Sequence, residues 1–322
     1  MLATLEGIRA AAARIAGIAR QTPVLDLSPL LPLHVKCEQM QPIGAFKIRG
    51  AYNYLARLTD TQRHRGVITY SSGNHGQAVA FAAHRFGVPA VIVMPETAPA
   101  VKVDGARRWG AEVQFAGTTT VHRQARAEAV ADQRGLLIVP PFDCLPIIEG
   151  QGTAGLEVLA QVPGVRTVVV PVGGGGLISG VAAALKLSDP SIRVIGVEPD
   201  GAPKMSRSLA AGMPVTLHAV QSIADGLMAV RPGALNFLHV QAFVDEVITV
   251  SDQDIVEAAR ALWDTARIAV EPSGATSVAG ALPRLADWAR EGPVVAVLSG
   301  GNVSLAALAA LTDMPTAARG DA

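Results

Sequence analysis

The sequence has 322 residues, half of them hydrophobic, and 27 basic side chains balance 27 acidic ones. That length allows one large or two medium domains with a substantial core, and a net charge of zero gives no electrostatic case for nucleic acid or an anionic membrane as partner. Two cysteines, Cys37 and Cys144, are too few for a disulfide framework, so a reducing cytoplasm is the expected compartment.

Residues 1–20 carry Glu6, Arg9, Arg14 and Arg20 in an alanine-rich pattern, which predicts a helix and lacks a secretory layout. Short strands are expected over 22–25 and 33–37. The turn Gln41-Pro42-Ile43-Gly44 follows, then a helical pattern over 51–58. From there strands over 67–70, 90–94, 112–115 and 136–139 alternate with helices over 75–85, 98–109 and 120–134. Pro140-Pro141-Phe142-Asp143 closes this series.

A second series has strands over 167–170, 193–197, 244–250 and 294–298, with helices over 152–161, 178–187, 251–266 and 276–290. Its stretch 167–185 contains no charged residue, but Pro171 and the run Gly173-Gly174-Gly175-Gly176 suit a strand, loop and helix better than a lipid-exposed span. Continuous apolar strands between helices predict parallel sheets covered on both faces. Two such series predict an α/β protein of two doubly wound domains with a cleft between them. Residues 1–52 and 144–322 are expected to form the larger domain, and 53–143 the smaller.

Ligands of open α/β sheets bind beyond the carboxyl ends of the strands, where loops open into helices. Ser71-Ser72-Gly73-Asn74-His75-Gly76-Gln77 is one such loop. It offers backbone N–H groups, hydroxyls and an amide, for which a carboxylate is the natural guest; an ordinary serine/asparagine helix cap is the plainer alternative. The four glycines at 173–176 let the backbone wrap a phosphate closely. A dinucleotide loop fits poorly there, because Ser179 stands where its third glycine belongs, and no Gly-Lys-Ser/Thr follows. Ser299-Gly300-Gly301-Asn302 closes the last strand and, by itself, is a common helix start. Finally, Lys47 lies in Gly44-Ala45-Phe46-Lys47-Ile48-Arg49-Gly50-Ala51, between an aromatic and small residues. A lysine is ordinarily a solvated charge, but in an apolar pocket its charged form is disfavoured and its amine becomes available as nucleophile or base.

In their order and approximate spacing the Lys47 stretch, Ser71 to Gln77, the glycine run, Glu271-Pro272-Ser273-Gly274-Ala275 and Ser299 to Asn302 resemble the fold-type II pyridoxal 5'-phosphate (PLP) enzymes. The likeness is to the threonine/serine dehydratase and serine racemase group and spans nearly the whole chain. It implies a tryptophan synthase β-like fold with the cofactor in the interdomain cleft. It further implies that Lys47 holds PLP as a Schiff base and then serves as base at the substrate Cα, with Phe46 against the ring. Asn74 would bond the ring hydroxyl, Gly173, Gly174, Gly175 and Gly176 the phosphate, and Ser299 the pyridine nitrogen. Ser72, Gly73, Asn74 and His75 would bind the substrate carboxylate. A serine at the ring nitrogen makes a weaker electron sink than a carboxylate would, which favours expulsion of a β-leaving group. Elimination of water from a 3-hydroxy amino acid such as threonine or serine, giving a 2-oxo acid and ammonia, is therefore the expected reaction. Racemisation of serine is the alternative, because Ser72 stands where racemases keep the hydroxyl serving the opposite face of Cα, whereas Pro141-Phe142-Asp143 looks more like the dehydratases. A homodimer acting on a small amino acid, with no nucleic acid or membrane partner, is expected.

Besides the dehydratase-like Pro141-Phe142-Asp143, two residues depart from the family pattern. Ala45 replaces a usual serine. Lys204 lies six residues after Glu198, where metal-binding relatives place an aspartate. No metal is expected here; instead the Lys204 ammonium is expected to pair with Glu198 as a built-in cation, leaving activity insensitive to chelators, with a solvent-facing lysine that has no partner as the plainer alternative.

Overall fold

The computed structural model describes residues 1–71, 73–98 and 100–313. Its first part contains α1 (Leu5–Ile15), β1 (Val24–Asp26), β2 (His34–Lys36), α2 (Lys47–Ala56) and α3 (Asp60–Arg65). An alternating run follows: β3 (Val67–Tyr70), α4 (Asn74–Phe86), β4 (Ala90–Met94), α5 (Ala100–Arg107), β5 (Glu112–Phe115), α6 (Thr120–Arg134) and β6 (Leu137–Ile138). The next stretch holds α7 (Leu145–Gln161), β7 (Thr167–Pro171), α8 (Gly176–Ser188), β8 (Arg193–Pro199), α9 (Lys204–Ala211) and α10 (Ala234–Phe243). The chain then forms β9 (Glu246–Val250), α11 (Asp252–Ala266), α12 (Pro272–Ala281), α13 (Leu285–Glu291), β10 (Val294–Val297) and α14 (Leu305–Asp313).

The strands form two sheets. One has the order β1-β2-β10-β7-β8-β9 and the other β5-β4-β3-β6. Among the described residues only the β1–β2 pair is antiparallel, and the other strand pairs are parallel. The apolar strands are buried accordingly: β4, β7 and β10 are buried throughout, as parallel strands covered on both faces must be. The boundary expected at residue 52 falls inside α2. Ile48, Ala51 and Leu55 of that helix share a core with Val67, Ala78 and Ile92 of the four-stranded sheet's layer.

The structure corrects the expected helices at several places. α7 starts at Leu145, a full two turns before the expected 152, because its glycines are contact points rather than breaks. A Cβ on Gly150 would lie 2.5 Å from Gly50 Cα, so α7 and α2 can touch only through hydrogen. The single helix expected over 276–290 is instead α12, a 3-10 turn at Leu282–Arg284 containing Pro283, and α13; the proline removes an N–H from the ladder. Lastly, α3, α9, α10 and α14 were not foreseen.

Directly behind the start of α2 lies a buried charge network. The fully buried Arg49 reaches Glu38 through Nε and Nη2, each at 2.7 Å, and Glu157 through Nη1 at 2.6 Å and Nη2 at 2.8 Å. Lys36 adds a second cation, 2.5 Å from Glu157. Burial opposes ionisation of Glu38, but Arg49, Lys36 and the Thr22 hydroxyl together outweigh it and hold the carboxyl below its usual range. Two cations and two anions thus neutralise one another and fix the first turn of α2, two residues beyond Lys47. Both cysteines are free thiols that burial pushes up to about 11. Among the described residues no helix is long and apolar enough to cross a membrane.

Candidate active site

The Lys47 stretch is pinned against the exit of β10. Ala45 forms an isolated antiparallel bridge with Gly300, Phe46 N–H donates to Ser299 O at 3.1 Å, and Gly301 N–H donates to Gly44 O at 2.9 Å. Lys47 opens α2. Its Nζ donates to Pro141 O at 2.7 Å and lies 5.3 Å from the centroid of the Phe46 ring. Burial pulls its pKa down to about 8, so far more of the neutral amine is present near neutrality than for a solvated lysine. Phe46 itself packs against the core cluster to which Val172 and Leu177, on either side of the glycine run, belong.

That run lies between β7 and α8, the geometry in which helix amides without intrahelical partners face an anion. Gly175 caps α8 with a φ of +104°, a left-handed conformation that favours glycine. Around the loop, a Cβ on Gly174 would strike the Phe142 ring, and one on Gly176 would lie 3.0 Å from Phe142 Cβ. Gly174 O accepts from Gly233 N–H at 3.0 Å and from Asn236 Nδ2 at 3.1 Å. Asp143 caps α10, accepting from the N–H groups of Ala234 and Leu235, both at 2.9 Å. Pro141-Phe142-Asp143 therefore holds the Lys47 amine, buttresses the glycine loop and anchors the helix that braces it.

In the third loop Asn74 begins α4. Its Nδ2 donates to Glu271 Oε1 at 2.5 Å, and its Oδ1 accepts from Asn302 Nδ2 at 2.8 Å. The His75 ring is buried behind the loop, with Nε2 3.4 Å from Val139 O. Burial and the nearby Lys47 charge push its pKa down to about 3, so His75 is neutral and what it can offer an anion is its main-chain N–H. Gly73 N–H donates to Ser71 Oγ at 3.2 Å. Ser72 lies outside the described residues. Ser299 is buried, and its hydroxyl donates to Ser273 O at 3.3 Å.

Four side chains to which the sequence assigned no role complete the site. Glu271 is buried with Oε2 unpartnered; burial raises its pKa to about 7, an effect that Lys102 and the Asn74 hydrogen bond oppose and Asp225 reinforces. Lys102 of α5 forms a close ion pair with Asp225, which lies in a 3-10 turn at Asp225–Leu227. Lys102 carries no periodic or motif signal in the sequence. Asn302 and Glu271 lie in recognised motifs, but their partner Asn74 is remote in the chain, and that pairing is invisible before folding.

These residues fit PLP. The glycine loop leaves its amides as the groups available to a phosphate, Lys47 supplies an amine of lowered pKa, and Asn74 and Ser299 carry hydrogen-bonding groups suited to a ring hydroxyl and a ring nitrogen. The family model for pyridoxal-phosphate dependent enzymes matches residues 15–300. The chain belongs to this family. Within the PLP-dependent enzymes it is 43% identical over 315 residues to the serine racemase of Oryza sativa subsp. indica, covering 95% of this chain and 93% of that one. It is 39% identical over 307 residues to the L-threonine ammonia-lyase of Thermotoga maritima, covering 94% of this chain and 76% of the other. The structure of maize serine racemase superposes with a TM-score of 0.92 at 41% identity, covering 96% of this chain and 97% of that chain. The expected fold, cofactor and family all stand.

Proposed function

We propose that this PLP-dependent enzyme eliminates water from a 3-hydroxy amino acid such as threonine or serine. The observation that carries this reading is the Lys47 amine, lowered to about 8 by burial and tied to Pro141 O in the segment that also buttresses the glycine loop. Gly173, Gly174, Gly175 and Gly176 would hold the phosphate, Phe46 would lie against the ring, and Asn74 and Ser299 would bond its hydroxyl and nitrogen. When bound, PLP supplies the sink for the electron pair released from the Cα–H bond.

The chain's own groups do the rest. The first-turn amides of α4, with Gly73, Asn74 and His75, receive the substrate carboxylate. Glu271 and Asn302 fix the Asn74 amide from both sides. Lys47 takes the proton from Cα, and the Cβ–O bond breaks as that proton passes to the hydroxyl, which departs as water. The enamine so formed tautomerises to an imine; water adds, ammonia leaves and a 2-oxo acid remains. A homodimer in the cytoplasm is part of the same reading.

Racemisation of serine is the second reading, carried by the serine at position 72. A racemase needs an acid on the face of Cα opposite Lys47, and elimination does not. The separating experiment incubates the purified enzyme with serine, threonine and bulkier 3-hydroxy amino acids and assays 2-oxo acid and enantiomer together. Ser72→Ala is expected to suppress any racemisation far more than elimination. Equal loss of both would assign Ser72 to the carboxylate alone.

A further inference from the structure

Lys204 is among the largest fully buried side chains of the molecule, and the reaction does not use it. Its Nζ lies 2.7 Å from Val172 O, 3.0 Å from Leu227 O and 3.1 Å from Ala202 O, and 3.0 Å from Glu198 Oε1. A protonated amine has three N–H groups, yet four oxygens crowd this nitrogen. At least one contact is therefore not a hydrogen bond of its own but a purely electrostatic one. A neutral amine would set its lone pair against an oxygen. Burial pulls the Lys204 pKa down and Glu198 opposes it; the all-oxygen shell selects the charged form. One carboxylate and three carbonyls are the donor set of a hard cation.

The four oxygens come from places that matter. Val172 is the residue immediately before the glycine run. Leu227 ends the 3-10 turn whose Asp225 holds Lys102, and Gly226 O of that turn lies 3.1 Å from where a Cβ on Gly173 would be. Glu198 is saturated at the same time. Its Oε1 also accepts from Met205 N–H at 2.8 Å, and its Oε2 accepts from Ser206 N–H and Ser206 Oγ, both at 2.9 Å. The ammonium thus ties the end of β7, the end of β8 and the turn beneath the glycine loop to a single point.

We propose that the Lys204 ammonium is a tethered cation that sets the position of the glycine loop, and that a side chain too short to reach this point leaves a site that a free hard cation fills. Lys204 is a positioning residue: it touches neither substrate nor cofactor and acts through Val172 and the turn. The inference rests on the glycine loop holding the phosphate of PLP.

The test titrates apoenzyme with PLP by absorbance, in chelator-treated buffer whose only cation is tetramethylammonium, too large for the shell. The unaltered enzyme is expected to bind PLP equally with or without chelator, K+ or Ca2+. Lys204→Ala is expected to bind PLP about tenfold or more weakly, and to recover most of that loss when K+ or Ca2+ is added. Unchanged affinity in Lys204→Ala overturns the proposal, as does a loss that neither cation reverses. Chelator sensitivity of the unaltered enzyme would also overturn it. Should Lys204→Ala fail to fold, Lys204→Asp carries the test. It offers the same shell a second carboxylate, and calorimetry is expected to find one Ca2+ bound per chain, with none in the unaltered enzyme; no binding contradicts the proposal. Failure of the unaltered apoenzyme to bind PLP at all would instead sink the cofactor assignment, a separate result.

Discussion

Lys47 and Lys204 are the same amino acid in two buried settings, and their surroundings give them opposite roles. Lys47 meets one carbonyl, at 2.7 Å, and the face of an aromatic ring, and burial brings its pKa to about 8. Lys204 meets a carboxylate and three carbonyls within 3.1 Å. Desolvation opposes the charge in both, but only at Lys204 does the protein supply enough oxygen to hold the proton. The count of oxygen partners decides whether a desolvated amine is a reagent or a strut. Arg49, two residues from Lys47, falls on the strut side, with two carboxylates around its guanidinium.

The comparison can be broken most decisively at Lys47. Lys47→Ala is expected to lower turnover by several orders of magnitude, because a covalent and an acid–base group are lost together, and to abolish the cofactor absorbance band. The same variant should unfold in urea close to the unaltered midpoint. Retained turnover would end the PLP reading.

A strut should behave in the reverse way. Arg49→Met leaves Glu38 buried without the cation bonded to it and Glu157 with Lys36 alone, and is expected to cost about 3–5 kcal/mol in urea unfolding; a loss near zero would show that the network is not needed to hold α2.

Proton linkage sharpens the contrast further. The folded apoenzyme gives up the Lys47 proton near 8, whereas the unfolded chain holds it to the ordinary value of 10.5. Apoenzyme stability should therefore gain as pH climbs between those two values, because the unfolded state binds more protons there. PLP capture by the apoenzyme should rise with pH and level off just above about 8. Levelling only in the ordinary lysine range would contradict the buried amine.

The smallest effect belongs to the exposed pairs. Arg284 and Glu246 lie 2.8 Å apart, but both are solvated, so Arg284→Ala should change stability by no more than about 1 kcal/mol. A larger loss would mean that proximity rather than desolvation governs ion pairs in this molecule.

Much of this architecture was readable in the sequence, for reasons tied to particular residues. The strand Glu112–Phe115 and the helix Thr120–Arg134 match their expected limits because turn residues bound them and the periodicity between is clean. The glycine loop was legible because four glycines in a row admit few alternatives. The helix Ala234–Phe243 was missed because it is apolar on most sides and shows no amphipathic stripe. Its start is set by Asp143, more than ninety residues earlier. Asn74 and Glu271 are 197 positions apart, so Asn74 was read as a polar loop residue without the acid that orients it. Glu198 and Lys204 lay close enough in sequence to be paired, but the carbonyls of Val172 and Leu227 did not. Local chemistry was visible; the shells around it came from folding.

The central claim is that Lys47, and not another buried amine, carries the cofactor. Reduction of the PLP-loaded enzyme with borohydride, followed by peptide mass mapping, is predicted to find one pyridoxyl group per chain on Lys47. A pyridoxyl group on Lys204, Lys102 or Lys36, with Lys47 unlabelled, would contradict the account.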